Sequence, residues 1–116
     1  TVCRKIRKRK HQTEMLNIMK KIYLSGQIDG LEPEECSRQF KQAAETVRKM
    51  YDTECIVINP YELPDVQNCW ADYMVRDLII LKECDVIVML PSWNNSYGSK
   101  IERLFAEKIG IRVIEL

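Results

Sequence analysis

With 116 residues, 46% hydrophobic and 30% charged, the chain suits one compact domain with its own core, and no apolar stretch reaches the roughly 20 residues that span a bilayer. The formal net charge of +1 hides a split: residues 1–21 carry about +7, from eight Lys/Arg and one Glu, and the remainder carries about −6. The one histidine, His11, nearly excludes metal clusters and histidine-based triads, and five cysteines without a CxxC pair read as reduced thiols of a cytoplasmic protein rather than a disulfide framework.

In chain order, residues 1–20 form a basic extension that contains RKIRKRK, and no signal peptide is visible in it. The extension could meet nucleic acid or an acidic surface. A solvated tail is the plainer reading, because the acidic body does not suit a nucleic-acid wrapper. KIYLSG, 21–26, is the first of four short apolar runs and reads as a strand. Gly26 permits a tight turn and a close ligand, Ser25 offers a hydroxyl and Tyr23 a phenol. The loop that follows is neither a Walker A nor a GxGxxG motif.

A helix is predicted over 33–51, opened by Pro33-Glu34-Glu35, with Phe40, Ala43, Ala44, Val47 and Met50 as its buried stripe. CIVINP, 55–60, is the second strand, closed by Asn59-Pro60. The helix predicted over 69–83 sets Trp70, Tyr73, Asp77 and Ile80 near one face. Aspartate is a poor helix-interior residue, and neither Arg76 nor Lys82 stands three or four positions from Asp77, the spacing of a helical ion pair. Asp77 therefore reads as either a structural or a functional carboxylate. The Trp70 and Tyr73 rings read as core, whereas Trp93, in a polar loop, is the better stacking surface for a base.

DVIVMLP, 85–91, is the third strand, and SWNNSYGSKIE, 92–102, follows it. Ser96 can cap the next helix, predicted over 98–109, with Ile101, Leu104, Phe105 and Lys108 on one face and Gly110 ending it. Glu102 reads by position as a first-turn glutamate that favours the helix dipole, or as a carboxylate placed for chemistry. IRVIEL, 111–116, is the last strand. Strands alternating with helices predict an α/β domain over 21–116 with a parallel sheet, the first three strands being covered on both faces. Ligands of such sheets sit beyond the carboxyl ends of the strands, here the segments 25–30, 59–62 and 92–102.

In this order, KIYLSG, INP, RDLIILKECDVIVMLPSW and SYGSKIE resemble the nucleoside 2-deoxyribosyltransferase superfamily, most closely its small bacterial and phage members of unassigned function. The resemblance covers about residues 21–116 and rests on Tyr-Leu-small-Gly after the first strand, an aspartate in the second helix and Gly-x-x-x-Glu opening the third. It implies a flavodoxin-like, three-layer, Rossmann-like fold of four to five parallel strands in the order 2-1-3-4, a fifth following if present. It also implies cleavage of the N-glycosidic bond of a nucleoside or nucleoside 5′-monophosphate, the sugar passing to water or another base. In that reading Glu102 is the nucleophile, Asp77 positions or protonates the departing base and Tyr23 orients the nucleophile.

Ser25, Gly26, Gln27, Asn59, Tyr73, Trp93, Ser96 and Gly98 are the expected substrate-binding residues. No metal, cofactor, membrane or nucleic-acid partner is implied, and a homodimer or higher oligomer is expected, a neighbouring subunit completing the site. Ser96 stands where the enzymes acting on free nucleosides have an aspartate, which points to a 5′-monophosphate and to water as acceptor. Asp29 and Glu32 point the other way, unless Lys100 and Arg103 turn inward to a phosphate. Lys100 and Ile101 also replace the small residues usual before the glutamate, which favours the alternative of a non-catalytic nucleotide-sensing domain.

Overall fold

The computed structural model describes residues 19–52, 54–66 and 69–116; the RKIRKRK stretch and His11 lie outside the described residues. The elements run β1 (Lys20–Ser25), α1 (Pro33–Met50), β2 (Cys55–Ile58), a 3-10 turn (Pro60–Glu62), α2 (Trp70–Leu81), β3 (Val86–Met89), a second 3-10 turn (Trp93–Asn95), α3 (Tyr97–Ile109) and β4 (Arg112–Glu115). The four strands make one all-parallel sheet in the order β2-β1-β3-β4, so the expected flavodoxin-like architecture is present. Ile22 pairs with Val86 and Val86 with Arg112, which sets the register across the central strands.

Side chains alternate across a strand, so each strand feeds two cores. On one face Ile22, Leu24, Val86, Val88 and Leu90 pack against Phe40, Ala43, Ala44 and Val47 of α1. On the other, Tyr23, Ile87 and Met89 pack against Leu81 of α2 and Ala106 of α3. The result is three layers: α1, sheet, then α2 with α3. In α1 the stripe ends at Val47; Met50 is exposed and Cys36 joins the core instead. β2, expected to be covered on both faces, is an edge strand with Ile56 exposed. A continuous apolar run signals burial only for the inner strands, and this sheet is too narrow to enclose its outer ones.

The chain steps from β1 outward to β2, crosses back over β1, and then steps from β3 outward to β4. The order reverses between β1 and β3, and their carboxyl ends open the crevice where such folds take ligands. No helix among the described residues is long and apolar enough to cross a membrane.

Candidate active site

Tyr23 and Ser25 are two apart on β1 and so point to the same face, toward α2 and α3. Both are buried, and both donate to one carboxylate: the Tyr23 hydroxyl to Glu102 Oε2, and Ser25 Oγ to Glu102 Oε1 at 2.6 Å. Glu102 is only 5% exposed. The dipole reading of Glu102 is thus corrected: the first turn of α3 holds no acidic residue, and Glu102 lies one turn further in, facing the sheet. Burial drives its pKa up from 4.5 to about 7; the two hydroxyls pull the other way, and the nearby Asp77 charge adds to the rise. Burial, then the charges of Glu102 and Asp77, push the Tyr23 phenol far above its usual range, so it stays a donor.

Asp77, on α2, is buried as well. Contrary to the spacing argument, Arg76 pairs with it, Nε donating to Oδ1 at 2.9 Å. Adjacent helical residues do not face each other, but the long guanidinium arm curls back and meets the carboxylate tip to tip. Burial raises the Asp77 pKa, while the hydrogen bond and charge of Arg76 and the Tyr23 hydroxyl oppose that rise.

Glu102 and Asp77 line one cavity of about 420 Å³, within the ~300–1,000 Å³ range of small-molecule sites. Gly26 and Asp29 follow β1, Pro60, Tyr61, Leu63 and Asp65 follow β2, Trp70, Tyr73, Met74 and Arg76 come from α2, and Ser96, Gly98 and Ser99 open α3. Two glycines keep the space. A Cβ on Gly26 would stand 2.9 Å from Leu90 Cβ, and one on Gly98 would stand 3.2 Å from Met74 Sδ. Ser96 caps α3, its Oγ accepting from the Ser99 amide at 3.1 Å. The Ser99 hydroxyl is buried on the cavity wall and has no hydrogen-bond partner among the described residues. Four carboxyl groups line the cavity, and among the described residues Arg76 is the one cationic side chain that does.

Of the expected site residues, Tyr23, Ser25, Glu102, Asp77, Gly26, Tyr73, Ser96 and Gly98 converge here. Three do not. Asn59 spends its side chain on its own turn, accepting from the Tyr61 amide at 3.0 Å. Gln27 bonds the Asp29 carbonyl and ties the loops together through its amide and Ser92 Oγ. Trp93 packs on the core beside α3, with the Arg103 guanidinium 4.6 Å from its ring centroid. The aromatic wall is instead Trp70, half exposed, with Tyr73, the two rings expected in the core.

Lys100 lies over the Tyr97 ring, and Arg103 is held by Glu107 and Glu115, so neither cation turns inward. Arg76 and Ser99 are the polar site residues nearest the two carboxyls' chemistry that sequence reasoning missed, and Tyr61, Asp65 and Met74 of the wall were missed as well. A serine three residues before Glu102 on the same helical face was the available signal for Ser99; Arg76 carried none, because its reach depends on its rotamer.

No curated protein matches the chain. A family model described as a domain of unknown function, DUF4406, matches residues 20–115, nearly the whole described body with its cavity. The chain therefore belongs to the DUF4406 family.

Proposed function

We propose that the protein cleaves the N-glycosidic bond of a nucleoside, with Glu102 as the nucleophile at the anomeric carbon and Asp77 as the group that protonates or anchors the departing base. The observation that carries this reading is the setting of Glu102: a buried carboxyl held at both oxygens by hydroxyls, facing a cavity it shares with a second carboxyl. Glycosidic cleavage passes through an oxocarbenium-like state, which a fixed carboxylate stabilises or captures while a second carboxyl serves the leaving group. Tyr23 and Ser25 hold Glu102 in place before reaction, so little reorganisation is needed. Trp70 and Tyr73 offer faces for the base, and the Ser99 hydroxyl offers a bond to a sugar hydroxyl. Water or a second base then takes the sugar.

The charges favour a nucleoside over its 5′-monophosphate. Asp29, Asp65, Asp77 and Glu102 surround the space, Arg76 is already paired, and Lys100 and Arg103 face away. A phosphate dianion would meet repulsion from these carboxylates. A non-catalytic sensing role loses its motive, because Lys100 and Ile101 are exposed and leave the cavity unobstructed. A second copy of the chain is the partner we propose for the apolar face of α2 and α3.

The test is a panel of nucleosides and their monophosphates, read by chromatography for free base. We expect base release from at least one nucleoside, slower release from its monophosphate, and none with Glu102→Ala. Intact substrates throughout, with a ligand-induced rise in melting temperature, would leave a binding module; no release and no rise would remove both readings.

A further inference from the structure

Arg76 has three anchors, of which Asp77 and Tyr73 line the cavity. Its Nε and Nη2 both meet the same oxygen of Asp77, Oδ1, at 2.9 Å. Its Nη1 donates to the Pro64 carbonyl, in the segment after β2. Its guanidinium lies over the Tyr73 ring, 5.2 Å from the centroid, and the Tyr73 hydroxyl donates on to Asp65 Oδ1 at 3.4 Å. A guanidinium fork usually straddles both oxygens of a carboxylate. Here it grips one, and a main-chain carbonyl, which does not titrate, fixes its other edge.

We infer that Arg76 is a positioning residue: it holds Asp77 by Oδ1, so that Oδ2 is the oxygen presented to the departing base. The inference rests on the reading of Asp77 as the group that anchors the departing base. The titratable and charged groups around Asp77 are Arg76 on its own helix, Tyr23 from β1, Glu102 from α3 and Asp65 after β2. Burial pushes the Asp77 carboxyl toward its neutral form, and Arg76 is the strongest opposing influence, followed by the Tyr23 hydroxyl. With Arg76 removed, Asp77 takes up its proton at higher pH and loses the anchor on Oδ1.

The experiment follows the Asp77 carboxyl carbon by NMR across pH, in protein labelled at aspartate Cγ, with Asp77→Asn to assign the signal. Arg76→Gln is expected to raise the titration midpoint by at least about one pH unit, the lower end of the effect of a close opposite charge. Arg76→Lys, which keeps charge but loses the fork, should raise it less. In turnover, kcat of Arg76→Gln should fall about tenfold or more, as expected when a group that meets the substrate is no longer held in place. An unchanged midpoint in Arg76→Gln overturns the inference.

Should that variant fail to fold, the Arg76 Nε–H resonance of the wild-type protein decides. It should shift in step with the Asp77 titration, and a resonance that stays still overturns the inference. Neither NMR readout needs turnover. A wild-type protein that cleaves no nucleoside removes the functional reading, while cleavage with an unmoved Asp77 midpoint removes only the role of Arg76.

Discussion

At the scale of single residues, Glu102 carries opposed demands. Its pKa, raised from 4.5 to about 7, means that the folded state holds the proton more tightly than the unfolded chain does. Protonated Glu102 therefore favours the fold; that contribution is whole below about pH 4 and is lost as pH rises through 7. At about 1.4 kcal/mol for each pH unit, the ionised form is destabilising by on the order of 3 kcal/mol above pH 8. Glu102→Gln should then melt higher than wild type at pH 8, with a gain that shrinks toward pH 5; calorimetry at both pH values checks it, and an equal gain at both would count against the buried charge. A nucleophile must be ionised, so the rate of base release should climb with pH through about 7. Tyr23→Phe or Ser25→Ala removes a hydroxyl that lowers the Glu102 pKa, so the climb should move to higher pH in each variant, as a kcat/KM profile would show.

At the scale of elements, α3 explains what the sequence could and could not disclose. Its cap at Ser96 and its stop at Gly110, in the left-handed conformation with φ of 86°, follow from local chemistry and were legible. Its buried face was not: the helix hides Ser99, Glu102 and Ala106 and exposes Ile101 and Leu104, and of the expected stripe Phe105 alone packs against the core. Hydrophobic periodicity locates a core, and where a helix faces a polar cavity instead, the same periodicity points the wrong way. The alternation of strands and helices, and with it the crevice, came from backbone-level patterns that survive such exceptions. Arg76 and Trp93 were misjudged because their places depend on side-chain reach and packing between elements distant in sequence. Two substitutions test the elements directly by denaturant unfolding. Ser96→Ala should weaken α3 by about 1 kcal/mol through loss of the cap. Gly26→Ala should destabilise by about 1–3 kcal/mol, since the added methyl meets Leu90 Cβ at 2.9 Å; no loss would mean that the β1 end and β3 are not packed this closely.

At the scale of the whole molecule, four parallel strands and three helices leave one face unlike the rest. Val75 and Ile79 on α2, with Ile101 and Leu104 on the adjoining α3, are all exposed. These helices also carry Asp77 and Glu102 on their inner faces, so a second copy covering the outer face would brace the elements that hold the two carboxyls. Light scattering should report a dimer or larger assembly. Ile79→Asp with Leu104→Asp should shift it toward monomer, since each places a charge in the proposed apolar interface. A wild-type monomer would contradict the proposed assembly while leaving the chemistry within one chain untouched.

The chemistry itself is tested most directly by trapping. A nucleoside with fluorine at the sugar 2-position disfavours the oxocarbenium-like state and slows breakdown of a glycosyl-enzyme. After incubation with such analogues of several bases, intact-protein mass spectrometry should show an added fluorosugar, and fragment spectra should place it on Glu102, with none on Glu102→Gln. An unmodified protein that nevertheless releases base, or a sugar attached at any other residue, would contradict Glu102 as the nucleophile.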